Sequence, residues 1–571
     1  MKLIFRSLKP YTLVSILAPL FKMLEAMFDL CVPLVMADMI NVGIETRDTA
    51  YILQKCGVLV LLGVLGLAAS ITAQFFSAKA AVGAAADLRR GLFSHVLSLS
   101  FSETDTLGTG TLITRLTGDI QQVQNGLNMS LRLLLRSPFI VAGAAVFAFK
   151  VDFQSGLFIT GSIPVLTMII FVIMGITTPL YVRVQQRLDK LTTGAQENLT
   201  GVRVVRAFHM EKRETREFCE NNASLLSRQL HVGRISALMN PMTLVIVNLF
   251  TAAILYTGAI HVGMGRLQQG DVIALVNYMS QILIELVKLA NLVVLLTKGV
   301  ASAKRLEEVM QMQPDMTFGE ETPDLSAKTA VSFEHVTLQY RGAGDASLTD
   351  ISFSAKAGET IGIIGGTGSG KSSLVHMIPR FYDAAKGSVC LFGKDVRSLT
   401  KQSLRRTVGM VPQKAQLFSG TIRSNLTFGA DVDDNTLWRA LETAQAAEFV
   451  RALPNGLDAP VEQGGRNFSG GQRQRLTIAR ALATDPKVLI LDDSASALDL
   501  ATDAALRKAV RKLPMTVFIV SQRTNSIRHA DQILVLDDGM LVGVGTHDSL
   551  LQSCEVYRDI YSSQTDGEVS A

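Results

Sequence analysis

The chain has 571 residues, 48% hydrophobic against 18% charged, with a formal net charge of +5 and a mean hydropathy of +0.29. That length exceeds one ordinary soluble domain, and so much apolar surface cannot all be hidden in a water-shielded core. The small charge excludes a nucleic-acid groove and leaves a lipid bilayer as the solvent for part of the chain.

Taken in chain order, the start MKLIFRSLKPY is basic and short, and the long apolar run behind it shows no small-residue cleavage site, so it reads as an amphipathic helix on the inner leaflet. Windows of roughly 19 residues then pick out apolar segments at 13–40, 52–76, 131–149, 157–176, 244–261 and 272–296. Each approaches or exceeds the ~20 residues a bilayer needs. Connections after the first, third and fifth spans are short, while 78–130 and 177–243 are long, polar and rich in Lys and Arg. Positive charge collects on the cytoplasmic side, which puts both long loops and both termini there and predicts a multi-pass protein of the inner (plasma) membrane. The spans carry charged and polar residues of their own: Lys22, Glu25, Asp29 and Asp38 in the first, Gln281, Glu285 and Lys288 in the sixth. At about 2.5 to 3.5 kcal/mol per mid-membrane charge, these line a substrate-facing wet cavity, pair with one another across helices, or sit where the helices extend beyond the bilayer.

Residues 1–313 therefore read as an all-α domain with six transmembrane helices, and the Pro- and acid-rich 314–328 as a linker. From 329 to 571, short β-rich runs such as TIGIIG, VLILDD and TVFIVS alternate with helical stretches, which predicts an α/β domain. The five cysteines, Cys31, Cys56, Cys219, Cys390 and Cys554, form no CxxC pair and suggest neither a disulfide framework nor a zinc site.

The chemistry lies in the second half. A strand leads into Gly365, Gly366, Thr367, Gly368, Ser369, Gly370, Lys371, Ser372 and Ser373, a G-x-x-x-x-G-K-S loop opening a helix. Glycines admit phosphates to the backbone N–H groups, Lys371 supplies a point charge and Ser372 a hydroxyl for Mg2+. Further on, VLILDD ends an apolar strand with Asp492, placed to hold the metal, and Ser469, Gly470, Gly471 and Gln472 open another helix in NFSGGQRQR.

Together these residues resemble the ATP-binding domain of ABC (ATP-binding cassette) transporters, and the six spans resemble the exporter-type membrane domain. The resemblance implies that ATP and Mg2+ are the ligands, that Tyr340 stacks on adenine, and that Gln413 links the metal to the membrane domain. It makes Ser469 to Gln472 the family signature, with Phe468 where leucine is usual, and makes Asp499 a residue that communicates across a dimer. It also places the coupling helices that touch the ATP-binding domains near 114–119 and 206–214.

Two departures stand out: Asp493 occupies the position of the catalytic glutamate, and Gln522 that of the switch histidine. Removing one methylene retracts the carboxylate by about 1.5 Å, a displacement that can cost on the order of 10²-fold in rate. Glutamine can hydrogen-bond a phosphate but cannot become a cation. Both changes in one pocket resemble the degenerate half of heterodimeric bacterial multidrug exporters. The expected partners are thus a second, different half-transporter, the bilayer and a small amphiphilic substrate, with no nucleic acid; a regulatory subunit that gates without pumping, or a lipid or peptide exporter, is the alternative.

Overall fold

The computed structural model describes residues 2–494 and 497–565. The chain folds as two units, one of residues 1–97 and 110–311, the other of residues 98–109 and 312–571.

In the first unit six helical stretches are long and apolar enough to cross a membrane: Arg6–Ile44, Thr49–Ser98, Thr109–Val151, Phe153–Thr200, Glu211–Gly263 and Gln269–Gln311. Their lengths, 39 to 53 residues, far exceed the ~20 that a bilayer needs, so each helix continues into water. Burial within them is inverted relative to a soluble protein. The second span buries Ala69, Ala73, Ser77, Ala80 and Ala84 while Leu53, Val60, Val64, Leu67 and Phe75 point outward. Small residues let helices approach closely, and large apolar ones are cheap to leave in hydrocarbon. The core between the first, third, fourth, fifth and sixth spans centres on Leu30, Ile140, Ile159, Ile254 and Tyr278, whose hydroxyl donates to the Leu30 carbonyl at 2.9 Å.

Asp38 pairs with Lys55 and accepts from the Tyr51 hydroxyl at 2.9 Å, while the other charges of the first and sixth spans gather around Arg136 of the third. The nearly buried Arg136 donates to Glu285 at 2.5 Å and to Asp29 at 2.9 Å, with Glu25 at 3.7 Å. Glu285 also accepts from Ser137 at 2.7 Å and Lys288 at 2.8 Å, and Lys22 pairs with Glu25 and donates to Ser70 at 3.0 Å. Three cations (Lys22, Arg136, Lys288) thus face three carboxylates (Glu25, Asp29, Glu285). These contacts pair charges across helices, one of the arrangements left open by the sequence.

In the second unit a 6-stranded sheet and a 4-stranded sheet share one core, and the larger sheet's Leu489, Leu491 and Val517 join a second core with helical side chains such as Leu437, Leu441 and Ile478. We number the strands β1 (Thr329–Leu338), β2 (Leu348–Lys356), β3 (Thr360–Gly365), β4 (Lys386–Leu391), β5 (Lys394–Asp395), β6 (Val408–Val411), β7 (Val488–Asp492), β8 (Thr516–Val520), β9 (Gln532–Asp537) and β10 (Met540–Gly545). The larger sheet runs β10-β9-β3-β8-β7-β6, parallel except for the edge strand β10, and the smaller runs β2-β1-β4-β5, all antiparallel. Strands β3, β7 and β8 lie side by side in register, with Val520 opposite both Ile363 and Asp492. Ligands of such parallel sheets bind at the carboxyl ends of the strands, and that edge is where β3, β7 and β8 deliver their motifs.

The fold is therefore an all-α domain with six membrane-length helices followed by an α/β phosphate-loop domain.

Candidate functional site

Strand β3 carries the fully buried Ile361, Ile363 and Ile364 to the sheet edge. There Gly368 and Gly370 take φ of +85° and +92°, a left-handed backbone that glycine adopts without strain, and the helix Lys371–Met377 begins. At Gly366 and Gly368 an added Cβ would meet nothing within 4 Å. The loop thus leaves open room beside its own backbone, a cradle for phosphate oxygens. Lys371, buried beneath it, donates to the carbonyls of Gly365 at 3.0 Å and Gly366 at 2.5 Å and to Ser369 Oγ at 3.3 Å. Burial pulls its ammonium below the usual lysine range, against the opposing pull of Asp493 and Asp492. A polyanion seated in the cradle offsets that desolvation.

Asp492, the last residue of β7 and 3% exposed, accepts from Ser372 Oγ at 3.0 Å, and His376 Nε2 lies 3.6 Å from its other oxygen. Asp493 follows with φ of +44°, a strained conformation for a residue with a side chain, fixed by its N–H donating to the Val520 carbonyl at 3.1 Å. Gln413 Nε2 donates to the Asp493 carboxylate at 3.3 Å. A cleft of about 370 Å³ gathers Thr367, Gly368, Gly370, Lys371, Ser372, Ser373, Gln413, Asp492, Asp493 and Gln522. Ser372, Asp492 and the Gln413 amide all present oxygen, the donor set that a hard divalent cation takes.

Tyr340 is joined to this loop from the side, its hydroxyl donating to Ser373 Oγ at 2.8 Å. The signature residues stand elsewhere. Ser469 caps the helix Gly470–Leu482, its hydroxyl accepting from the Gln472 N–H while Gln472 Oε1 accepts from the Ser469 N–H at 2.9 Å. Ser469 and Gly470 are exposed, and none of the four signature residues lines the cleft. Phe468 is buried among the apolar side chains below and packs on Phe449, which accounts for a large side chain at that position. Asp499 caps the next helix, Leu500–Val510, accepting from the Thr502 N–H at 2.9 Å, and that bond holds its carboxyl below the usual range.

Three features of the site were not read from the sequence. Gln564, in the last described helix, grips the loop that carries Gln522: it donates to the Gln522 carbonyl at 2.8 Å and accepts from both the Thr524 N–H and hydroxyl at 2.9 Å. His376 joins Asp492 to an aromatic group, standing 5.7 Å from the Phe381 ring and 6.4 Å from Tyr382. Finally, the short helix Phe101–Leu107 belongs to the second unit, with the ATP-binding region. Phe101 packs on Phe381 at 4.4 Å, Tyr382 donates to Asp105 at 2.6 Å, and Tyr382 meets Tyr340 edge-on at 4.9 Å. Burial alone would raise the Glu103 carboxyl, but hydrogen bonds from Ser100 and the Asp315 N–H outweigh it and hold the group below the usual range. Residues 115–119 lie in the first unit, where Asp119 pairs with Arg115 and Arg305. The second expected contact region, 206–214, also lies in the first unit, across the end of the helix Val202–Ala207 and the start of Glu211–Ala237.

Comparison with known proteins gives this geometry its family. Residues 15–286 match the family model described as ABC transporter transmembrane region, and residues 348–496 the one described as ABC transporter. An uncharacterised ABC transporter ATP-binding protein of Bacillus subtilis, YfiB, is 37% identical over 98% of this chain and 97% of its own length. The probable multidrug resistance ABC transporter protein YheI of the same organism is 31% identical over 84% and 82%. Among solved structures, a bacterial Atm1-family ABC exporter with ATP bound shares the fold, with a TM-score of 0.79 at 24% identity over 98% of both chains. The chain belongs to the ABC transporters, as an exporter-type half-transporter with its membrane and ATP-binding regions on one multi-pass polypeptide.

Proposed function

We propose that this chain is the weakly catalytic half of a heterodimeric ATP-driven exporter that moves amphiphilic compounds out across the inner (plasma) membrane. One observation carries the reading: Asp493 and Gln522 share a cleft in which the ATP-holding groups Lys371, Ser372 and Asp492 are all present. Binding chemistry is kept and hydrolytic chemistry is reduced. The Asp493 carboxylate stands one methylene short of the family's general base, and Gln522 offers the γ-phosphate a neutral amide instead of a potential cation. Lys371 and the loop N–H groups hold the phosphates, Tyr340 supports adenine, and Ser372, Asp492 and Gln413 hold Mg2+. Bound there, Mg2+ neutralises charge on the β- and γ-phosphates.

The signature residues Ser469, Gly470, Gly471 and Gln472 are intact, capped and outside this cleft, which suits them to complete the partner's site. The excess of Lys and Arg in the long loops supports cytoplasmic termini and a cytoplasmic ATP-binding domain. The named multidrug relative suggests the substrate class. ATP turnover by the chain purified alone, then mixed with candidate half-transporters, tests the reading. Near-zero turnover alone, restored by one partner, is the expected result; robust turnover as a homodimer, lost on Asp493→Asn, would overturn it.

A further inference from the structure

Behind the catalytic edge of the larger sheet lies a second cavity, of about 600 Å³, within the size range of small-molecule sites. Its floor is apolar: Leu491, next to Asp492 on β7, with Val517 and Ile519 of β8, the strand that leads to Ser521 and Gln522. Its rim is cationic, carrying Arg507, Lys508, Arg511, Lys512 and Arg528, and no carboxylate lines it. The neighbouring Asp503 is buried and is taken up by Arg507 at 2.6 Å. Lys508, Lys512 and Arg528 make no ion pair with the described residues.

Two of the guanidinium groups are positioned rather than loose. Arg507 donates to the Asn525 carbonyl at 2.6 Å and Arg511 to the His529 carbonyl, so both bridge from the helix Leu500–Val510 and its following turn to the segment that begins at Thr524. With Arg507 matched by Asp503, the four other cations around a low-dielectric floor repel one another and focus a positive potential into the cavity. Such a cluster is stabilised by an anion, and an apolar floor of this extent adds affinity for a hydrocarbon or aromatic body. Neither feature serves the ATP cleft, whose lining residues are different.

We propose that this cavity is a second ligand site, specific for a small organic anion: a phosphate or carboxylate carried on an apolar body. The anionic group is held among Lys508, Lys512 and Arg528, and the apolar body lies on Leu491, Val517 and Ile519.

The full-length protein in lipid nanodiscs, treated with the aromatic phosphate pyridoxal 5′-phosphate and reduced with borohydride, tests this by site-resolved peptide mapping. Imine formation followed by reduction marks each lysine separately, so labelling of Lys371 is read apart. Lys508 and Lys512 should label at least about 10-fold faster than the exposed Lys356 and Lys386, as expected for a focused potential. Arg528→Gln should remove most of that advantage, and 1-naphthyl phosphate should protect at concentrations about 10-fold below those of inorganic phosphate. Equal labelling of all four lysines would overturn the site. Equal protection by inorganic phosphate would overturn the role of the apolar floor.

Discussion

Two charged clusters sit in this chain, one among the membrane helices and one at the carboxyl edge of the larger sheet, and they are built on opposite principles. Around Arg136 every charge is answered from within: three cations meet three carboxylates, the six groups coming from the first, third and sixth spans, and Ser70 and Ser137 take up further hydrogen-bonding capacity. In the ATP cleft the donors are held but not matched. Lys371 is buried against carbonyls, and a glycine loop with open space beside it waits for oxygens that the protein does not supply. A closed set of charges fixes helices relative to one another, whereas an open set binds a ligand. That difference separates a structural ion cluster from a site, even though both began as charged residues in unlikely places.

The contrast can be broken from either side. Removing Arg136 leaves Glu25, Asp29 and Glu285 without their shared cation, and breaking such a buried pair costs about 3–5 kcal/mol. Arg136→Ala should therefore lose most of its folded, detergent-extractable protein in thermal unfolding, while Arg136→Lys retains part of it. In the open cluster the penalty falls on the ligand instead. Lys371→Ala should leave the unfolding temperature nearly unchanged and weaken ATP binding roughly 10- to 100-fold in equilibrium dialysis, the worth of a charge-assisted contact. Smaller effects come from residues that only position the cleft. Gln564→Ala frees the Gln522 loop from three hydrogen bonds and should shorten ATP retention at this chain's site about fivefold, read by stopped-flow release of a fluorescent ATP analogue. Smallest is Tyr382→Phe, which keeps the ring against Tyr340 but loses the bond to Asp105; hydrogen-exchange protection of residues 101–107 should fall by about fivefold or less.

What the sequence discloses is what local spacing encodes. The six spans, the phosphate loop at Gly365 to Ser373 and the strand ending in Asp492 are legible because each depends on neighbours within about 20 residues. The charges of the first and sixth spans are visible, but their third partner is not. Arg136 sits 149 residues from Glu285, in a stretch where one arginine near a span end looks like an ordinary interfacial residue. Gln564 is equally silent, since a glutamine near the end of a polar helix becomes a clamp only once that helix packs beside the Gln522 loop. The pairing of Asp119 with Arg305 in the first unit, and the packing of FSETDTL through Phe101 and Asp105 in the second, are equally hidden, since each joins residues far apart in the chain.

The central claim is that the cleft around Asp493 binds ATP but contributes little hydrolysis. Steady-state ATP turnover by the assembled pair, with Asp493→Asn in this chain and, separately, the partner's catalytic carboxylate neutralised, tests it most directly. The account predicts that Asp493→Asn leaves turnover within about twofold while the partner change removes nearly all of it, since a group that is not the working base carries little transition-state stabilisation. Turnover abolished by Asp493→Asn and retained without the partner's carboxylate would contradict it, and would make Asp493 the working base.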